Sequence, residues 1–386
     1  MKTYAEINAK IKSGRAVVVT AEEIIDRVAA DGYAKTAATV DVVTTATFGP
    51  MCSTGAFLNF GHADPPIRMG KVWLNDVPAC AGLAAVDAYI GATELSETQG
   101  MGYGGANVIE DLISGKKVKL RATSYGTDCY PRKEITTEIT LKDLNQAYLF
   151  NPRNCCQNYE VVVNSSAKTL YTFMGTLLPH FGNATYSTSG ELSPLLNDPD
   201  YRTIGIGTRI FLGGGVGYVA WEGTQHNPCQ NRDENRIPTS LAGTLALIGD
   251  LKQMNREYLR AALFNRYGIS VYVGVGIPIP ILDEAMLKCT AITNKEIKTT
   301  VYDFGVGRRS RPDFGQVNYA QLRSGAININ DKTIPTAPLS SLAQARKIAA
   351  TLKEWIAAGR FLLTEPVQPL PATNRVNSLE IRKEED

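Results

Sequence analysis

Apolar and polar residues alternate over several short stretches of the chain, and this period of two predicts β-strands. The clearest case is Lys117–Thr123, where charged and apolar side chains alternate. The segment Ile135–Leu141 is β-branched and largely alternates in the same way. Residues of the types that favour strands predict further strands at residues 39–48, 72–74, 159–163, 218–221, 271–279, 298–304 and 325–330.

Fewer stretches have the spacing of helices. Residues 341–358 carry apolar side chains along one helical face and stop at Gly359. Thr20 and Glu23 have the spacing of a capping box ahead of an apolar stripe that ends at Gly32. Other helices are predicted over residues 83–90, 106–114 and 254–264.

These elements follow one another without a regular β-α-β rhythm, and no internal repeat of 20–50 residues is present. The mixture predicts a mixed α/β or α+β fold, with a composite sheet architecture and flanking helices, and leaves the topology open. A length of 386 residues alone favours two domains. We assign residues 1–365 to one domain that has room for two subdomains. Residues 366–386 contain three prolines and a charged end and are predicted to be a tail.

Composition narrows the class of protein. Apolar residues make up 44% and charged residues 20% of the chain, as in ordinary globular proteins. A net charge of +2 gives no reason to expect nucleic acid or an acidic membrane surface as a partner. No apolar run approaches the ~18 residues that span a bilayer, and Met1–Glu6 does not lead into a signal peptide. We therefore expect a cytoplasmic protein. The basic stretch Arg308–Arg311 is typical of a solvated loop, with a phosphate or partner contact as the alternative.

Seven cysteines, an odd number spread over a long chain, argue against a disulfide framework. They are Cys52, Cys80, Cys129, Cys155, Cys156, Cys229 and Cys289. No C-x-x-C pair occurs, which weakens the case for a zinc site or an iron–sulfur cluster within one short segment. Reduced thiols are the expected state.

Cys129 is the strongest candidate for chemistry. It lies in the loop Ser124–Lys133 between two predicted strands, where proteins often place functional groups. The thiolate is the nucleophilic form of cysteine, and the nearby Arg132 and Lys133 favour it. Most free cysteines are nevertheless buried and inert. Local chemistry alone therefore leaves a structural and a functional role about equally open.

Cys52 and the adjacent pair Cys155 and Cys156 are weaker candidates. Cys52 follows the first long predicted strand, and a short helix beginning near Pro50 would favour a thiolate there. A small residue packed in a Gly-Pro turn is the simpler interpretation. The vicinal pair is assigned a structural role, because neighbouring cysteines bridge poorly.

His226 and Arg209 lie in polar or glycine-rich segments. The chain has three histidines, so few residues could move a proton near neutral pH. A hydrogen-bonded loop histidine is still the simpler interpretation of His226. The glycines of residues 205–217, around Arg209, lead into a strand and not a helix, which argues against a dinucleotide fingerprint. They favour close backbone packing or a glycine-lined substrate pocket.

Several long motifs, in order, resemble those of the homocysteine-biosynthesis proteins, whose proposed activity is L-aspartate-semialdehyde sulfurtransferase in anaerobic archaea and bacteria. The resemblance covers residues 15–371 in outline. It rests on the segments 48–53, 61–66, 83–89, 124–133, 189–199, 205–214 and 223–226.

The resemblance implies two functional cysteines, Cys52 and Cys129, with Cys129 the essential one and a persulfide carrier. Its terminal sulfur could add to the aldehyde carbon of L-aspartate 4-semialdehyde. The small molecules expected as partners are this aldehyde and sulfide or another sulfur donor. Release of homocysteine then needs an external reductant. Arg132 and Arg209 are candidates to hold the substrate carboxylate, and His226 is a candidate to move a proton. We expect both thiols to open into one pocket.

The resemblance also bears on partners and cofactors. A separate ferredoxin-like protein is associated with the family, so an electron-donor protein of that kind is an expected partner of this chain, which we expect to be a homo-oligomer. Two alternatives stay open. One is sulfur insertion by an iron–sulfur cluster that Cys129 and other cysteines would ligate. The other is a non-enzymatic sulfur carrier or scaffold subunit of a redox complex. No metal ligand is assigned.

Overall fold

The structure, a computed structural model, describes residues 1–381 and confirms a mixed α/β fold. Its α-helices in this range are α1 (Tyr4–Lys12), α2 (Glu23–Asp31), α3 (Tyr33–Thr39), α4 (Gly105–Ile113), α5 (Pro194–Asn197), α6 (Glu284–Thr290), α7 (Tyr319–Arg323) and α8 (Leu342–Ala357). None of these described helices has both the length and the apolar character needed to cross a bilayer.

Strands are more numerous than helices and occur along most of the described chain. They are β1 (Val18–Thr20), β2 (Val42–Pro50), β3 (Gly55–Asn59), β4 (Lys71–Leu74), β5 (Val77–Ala79), β6 (Asp87–Gly91), β7 (Leu95–Ser96), β8 (Gly100–Gly104), β9 (Val118–Thr123), β10 (Glu134–Ile139), β11 (Gln146–Asn154), β12 (Val161–Val163), β13 (Leu170–Thr172), β14 (Gly175–Leu177), β15 (Ala184–Tyr186), β16 (Gly205–Ile206), β17 (Arg209–Leu212), β18 (Gly215–Glu222), β19 (Leu245–Asp250), β20 (Leu259–Phe264), β21 (Gly268–Pro280), β22 (Lys298–Asp303), β23 (Asp313–Asn318), β24 (Ala326–Ile329), β25 (Lys332–Pro338) and β26 (Gln368–Pro369).

Ten strands form one large sheet in the order β1-β2-β21-β17-β18-β19-β11-β3-β6, with β20 paired to β21 beside this path. Its pairings are antiparallel apart from β1 with β2. The longest pairing joins β2 to β21 over nine residue pairs and ends at Pro50 opposite Tyr272. Cys52 therefore emerges from the sheet beside the first residues of β21.

Two smaller sheets flank this one. A four-stranded sheet has the order β10-β9-β4-β5, and a six-stranded sheet has the order β23-β22-β12-β15-β25-β24. Within the first, β9 and β10 pair antiparallel from Val118–Ile139 to Thr123–Glu134. This confirms the two strands predicted on either side of the Cys129 loop, which closes a hairpin.

The helix α8 covers one face of β2 and β21, and its apolar face is the one that the sequence predicts. Ile348 and Leu352 are fully buried in a core shared with α1, α2 and β2, and burying each such side chain contributes about 1.5–3 kcal/mol. Gly274 and Gly276 of β21 permit the close approach. A Cβ atom at these positions would lie 2.9 and 3.0 Å from atoms of Ile348.

The two hydrogen bonds of the predicted capping box form, although α2 begins at Glu23 with Glu22 as its N-cap, so the prediction of Thr20 as the cap is wrong. The main-chain N–H of Thr20 donates to the Glu23 carboxylate at 2.7 Å, and the N–H of Glu23 donates to Thr20 Oγ1 at 3.2 Å. Together these bonds satisfy main-chain donors at the start of α2. The helix ends before Gly32, which has a φ of +76°.

Two predicted helices are wrong. Residues 83–90 lead into β6, which pairs with β3 at the edge of the large sheet. Residues 254–264 lead into β20, which pairs with β21 over six residue pairs. Short runs of alanine and leucine fit either period, and pairing with a long neighbouring strand overrides their weak helical preference.

The first residues of the predicted tail lie against the rest of the protein. The strand β26 pairs with β16, Leu370 is buried, and the carbonyl of Pro371 accepts a hydrogen bond from His226. Residues 382–386 of the predicted tail lie outside the described residues. The division of the chain near residue 365 stays a prediction.

Candidate active site

A cavity of about 620 Å³ lies where the ends of β2 and β21 meet segments that flank the six-stranded sheet. Three thiols line it, those of Cys52, Cys155 and Cys156. Arg153 is the one charged side chain among the described residues of its wall, and Tyr267 contributes a hydroxyl group. The cavity therefore combines nucleophilic sulfur, hydrogen-bond donors and a single cation.

Cys52 lies in a tight turn directly after β2. The strand runs through Pro50, and the N–H of Thr54 donates to the carbonyl of Met51 at 3.1 Å. The predicted helix near Pro50 is therefore absent, because the chain continues as a strand and then turns. The Cys52 thiol donates to Ser270 Oγ at 3.3 Å, and Tyr267 lines the same cavity.

A fully buried asparagine, Asn151, ties this turn to Arg153. Its Nδ2 donates to Thr54 Oγ1 at 2.7 Å, and its Oδ1 accepts from the main-chain N–H of Arg153 at 2.9 Å. The pairing of β11 with β19 shifts register just after Asn151, where Pro152 removes a donor from the strand. Such a bulge re-aims the side chains beside it. Arg153 consequently lines the cavity.

The guanidinium of Arg153 is held by neutral groups. Its Nε donates to Thr224 Oγ1 at 3.1 Å, and its Nη1 donates to Gln225 Oε1 at 2.8 Å. The N–H of Thr224 in turn donates to the carbonyl of Pro152 at 2.8 Å. These bonds fix the orientation of the cation without neutralising its charge.

Cys155 and Cys156 are protected thiols. Cys155 is only 4% exposed and adopts a φ of +47°, outside the usual strand conformation. Burial raises the pKa of the Cys156 thiol to about 12 and also raises the pKa of Cys155. Both thiols stay protonated near neutral pH, in which form they are weak nucleophiles. They line the cavity, a placement that the sequence does not predict.

His226 is 4% exposed and does not line the cavity. Its Nδ1 accepts from the N–H of Thr244 at 3.1 Å, and its Nε2 donates to the carbonyl of Pro371 at 3.0 Å. One neutral tautomer satisfies both bonds. His226 thereby anchors the loop whose residues Thr224 and Gln225 hold Arg153.

Arg209 also lies away from the cavity. Its guanidinium carbon is 4.6 Å from the centre of the Phe361 ring, and its main-chain N–H donates to Thr364 Oγ1 at 2.7 Å. The side chain therefore packs against the segment that follows α8. The substrate-binding roles of Arg209 and His226 stay predictions.

Cys129 is exposed, and its hairpin loop is fastened to residues 61–68. The guanidinium of Arg132 donates to the carbonyls of Asp64 and Pro65 at 2.7 and 2.9 Å. The Tyr130 ring stacks on His62 with 5.9 Å between ring centres. Arg132 is thus engaged in holding the loop, and Cys129 faces solvent.

The two cysteines lie near opposite ends of β3. Cys52 precedes this strand, whereas the segment Gly61–Pro66 that holds the Cys129 loop follows it. The four residue steps of Gly55–Asn59 correspond to about 13 Å of strand. Cys129 is not among the residues that line the Cys52 cavity. The expectation that both thiols open into one pocket stays a prediction.

The placement of the cysteines does not fit an iron–sulfur cluster within one chain. Such clusters are held by four cysteine ligands. Throughout residues 1–381, no three histidine, cysteine, aspartate or glutamate side chains are grouped so that they could hold a metal ion.

Arg153 and Tyr267 are the functional candidates that sequence reasoning missed. A signal for Arg153 was present, because Pro152 interrupts a strand pattern immediately before it. Proline inside a strand marks an edge or a bulge, and bulges are frequent beside active sites. No comparable local signal marks Tyr267.

Comparisons with known proteins agree with the motifs. The family model described as "Homocysteine biosynthesis enzyme, sulfur-incorporation" matches residues 16–363. L-aspartate semialdehyde sulfurtransferase of Methanosarcina acetivorans is 53% identical over 378 residues, which cover 98% of this chain and 74% of the relative. The protein of the same name from Methanocaldococcus jannaschii is 53% identical over 385 residues, with 96% and 73% covered. No solved structure matches. The chain belongs to the homocysteine-biosynthesis, sulfur-incorporation family of enzymes.

Proposed function

We propose that this chain is a sulfurtransferase that incorporates sulfur into L-aspartate 4-semialdehyde and forms L-homocysteine. Family membership and two relatives of that name support the reaction class. The observation that carries the proposal is the cavity beside Cys52, where a thiol and a tyrosine hydroxyl face the same space. Its volume of about 620 Å³ is in the usual range for small-molecule sites.

The two cysteines have different tasks in this proposal. Cys129 is exposed, so a sulfane-sulfur donor such as polysulfide can reach it and leave a persulfide. The cavity binds the aldehyde beside Cys52. Burial, with a smaller effect of Cys52, raises the pKa of Tyr267, so its hydroxyl remains a hydrogen-bond donor. Such a donor stabilises the charge that develops on an aldehyde oxygen under attack.

The terminal sulfur of the Cys129 persulfide adds to the aldehyde carbon, giving a Cys129–S–S–CH(OH)R adduct. The Cys52 thiol attacks the Cys129 sulfur, which releases HS–CH(OH)R and leaves a Cys52–Cys129 disulfide. Two electrons and two protons restore both thiols. Loss of water from HS–CH(OH)R gives a thioaldehyde, and two further electrons and two protons yield homocysteine. A separate low-potential iron–sulfur protein of the ferredoxin type supplies these electrons.

Contact between the two cysteines requires a second copy of the chain in this proposal. Arg132 fastens the Cys129 loop at the far end of β3, and reaching its own cavity would break those bonds. In a homo-oligomer, the loop of one copy reaches the cavity of another with its anchors intact.

Mixed oligomers test this arrangement. Mixed oligomers of Cys129→Ser and Cys52→Ala subunits should be more active than the sum of the two separate variants. The Cys52→Ala subunit supplies an intact Cys129 loop, and the Cys129→Ser subunit supplies an intact Cys52 cavity. Strictly additive activity in oligomers proven to be mixed would contradict the second-copy arrangement.

The function itself is tested with the isolated chain, polysulfide, L-aspartate semialdehyde and a low-potential chemical reductant under anaerobic conditions. We expect homocysteine, identified by mass. Formation without any protein partner would also exclude a purely non-enzymatic carrier. No homocysteine from a folded, persulfide-loaded chain would overturn the proposed function.

A further inference from the structure

We infer that Arg153 binds the α-carboxylate of the aldehyde substrate and makes the cavity selective for aldehydes that carry a carboxylate. The identity of the aldehyde rests on the proposed function, whereas the anion site rests on the geometry of the cavity. Neither Arg132 nor Arg209, the cations that the sequence favours for this role, lines this cavity.

The charge of Arg153 has no counterion in the described chain. None of the ion pairs among residues 1–381 includes it. Arg202 and Arg346, by contrast, are paired with Asp283 and Glu22. Arg132 and Arg209 resemble Arg153 in having no ion pair among the residues described, but they do not line this cavity. A cation without a counterion in the wall of a cleft favours an anionic ligand there.

The guanidinium retains donors for that ligand. It has five N–H groups, of which the bonds to Thr224 and Gln225 use two. A planar guanidinium with adjacent N–H groups matches a carboxylate in a bidentate pair. Because both acceptors are neutral, they orient the guanidinium and leave its charge available.

The anion site and the thiol are held in one framework. Asn151 joins the Cys52 turn, through Thr54, to the main chain of Arg153. A four-carbon substrate with a carboxylate at one end and an aldehyde at the other can therefore be held with its reacting end towards Cys52. Fixed positioning of this kind contributes directly to rate.

The wall of the cavity also limits what is recognised. None of its described residues is aspartate or glutamate, so no carboxylate is present to pair with the α-ammonium group. Selection should therefore depend on the carboxylate and only weakly on the amine. Succinate semialdehyde, which lacks the amine, should be accepted, whereas butanal, which lacks both groups, should be a poor substrate.

The test compares these three aldehydes with wild type, Arg153→Met and Arg153→Lys. For L-aspartate semialdehyde, Arg153→Met should raise KM about tenfold to a hundredfold, the scale of one hydrogen-bonded charge pair, with a smaller change in kcat. Arg153→Lys should retain part of the affinity. For butanal, wild type and Arg153→Met should be equally poor. Arg236→Met, a change at an exposed arginine paired with Asp200, is the matched control.

A binding measurement separates this inference from the proposed function. L-2-aminobutyrate carries the α-carboxylate but no aldehyde, and its binding is followed by calorimetry. Wild type should bind it and Arg153→Met should bind it at least tenfold more weakly, with both proteins equally folded by circular dichroism. If Arg153→Met fails to fold, Thr224→Val, which removes one orienting acceptor, should weaken binding by a smaller factor. Equal binding by wild type and a folded variant, or no binding by wild type, overturns the inference. A wild type that binds the probe but makes no homocysteine overturns the proposed function alone.

Discussion

The Cys129 loop and the Cys52 cavity differ in how far each exposes its thiol to solvent. Cys129 faces solvent on a hairpin loop that is fastened at its base by Arg132. Cys52 lies in a cavity wall with Arg153 and Tyr267, and the buried Asn151 joins Thr54 beside Cys52 to the main chain of Arg153. In the proposed function, the exposed thiol receives sulfur and the cavity holds the reactive aldehyde. That proposal therefore places sulfur loading and reaction at separate sites.

Replacing Cys129, the residue proposed to receive sulfur, should lower homocysteine formation most. Cys129→Ser should abolish homocysteine formation, because no other exposed thiol is carried on this loop. Cys229→Ser, which changes an exposed cysteine elsewhere, should leave turnover unchanged. Homocysteine is quantified by mass after a fixed anaerobic incubation. Full activity of a folded Cys129→Ser protein would show that the loop does not load sulfur.

Replacing Cys52 should lower activity less than replacing Cys129 does. Cys52→Ala should lower kcat by about tenfold to a hundredfold, because a reductant from solution must replace a thiol held in position. Excess low-potential reductant should recover part of the loss. Complete inactivity that no reductant relieves would give Cys52 a role equal to that of Cys129.

Replacing Asn151 should lower the stability of the protein and also weaken binding of the aldehyde. Asn151→Leu removes the partner of the Arg153 N–H and of Thr54 inside the protein, so the free energy of unfolding should fall by about 1–3 kcal/mol. KM for the aldehyde should also rise. Asn328→Leu, at an exposed asparagine of β24, is the control. Denaturant unfolding and steady-state kinetics measure the two effects, and an unchanged KM would show that Asn151 supports the fold alone.

The smallest effect concerns the protected thiols. A thiol whose pKa is raised is protonated at lower pH and becomes a thiolate only as the pH rises towards that value. Cys156, with a pKa raised by burial to about 12, should therefore resist iodoacetamide at pH 7.5, whereas the exposed Cys129 reacts. Labelling of Cys156 should increase steadily above pH 9. Peptide mass measures both, and rapid labelling of Cys156 at pH 7.5 would contradict its protected state.

The two regions also differ in how far the sequence predicts them. The Cys129 hairpin joins strands that are neighbours in the sequence. The alternation in β9 and β10 and the polar loop between them are therefore enough to predict it. The cavity joins segments more than 200 positions apart, because Cys52 meets Ser270 only through the pairing of β2 with β21. No local period encodes that pairing. Residues 259–264 differ, because they become β20 against their helical spacing through a short hairpin with the first residues of β21.

The resemblance to a known family identified the reaction class, which local chemistry did not. It did not identify the structural role of each motif. The segment Gly223–His226 suggested a catalytic histidine, whereas the structure buries His226 and uses Thr224 and Gln225 to hold Arg153. The role of that motif depends on Arg153, which lies about 70 positions earlier in the chain and approaches it across the sheet.

The most direct test of separate loading and reaction is the mass of cysteine peptides under non-reducing conditions. After treatment with polysulfide and removal of the excess, the Cys129 peptide should be heavier by about 32 Da, one sulfur atom. Adding L-aspartate semialdehyde and reductant should remove that mass and yield homocysteine in equal amount. An active enzyme whose added sulfur is found on Cys52, with Cys129 unmodified throughout, would contradict the account.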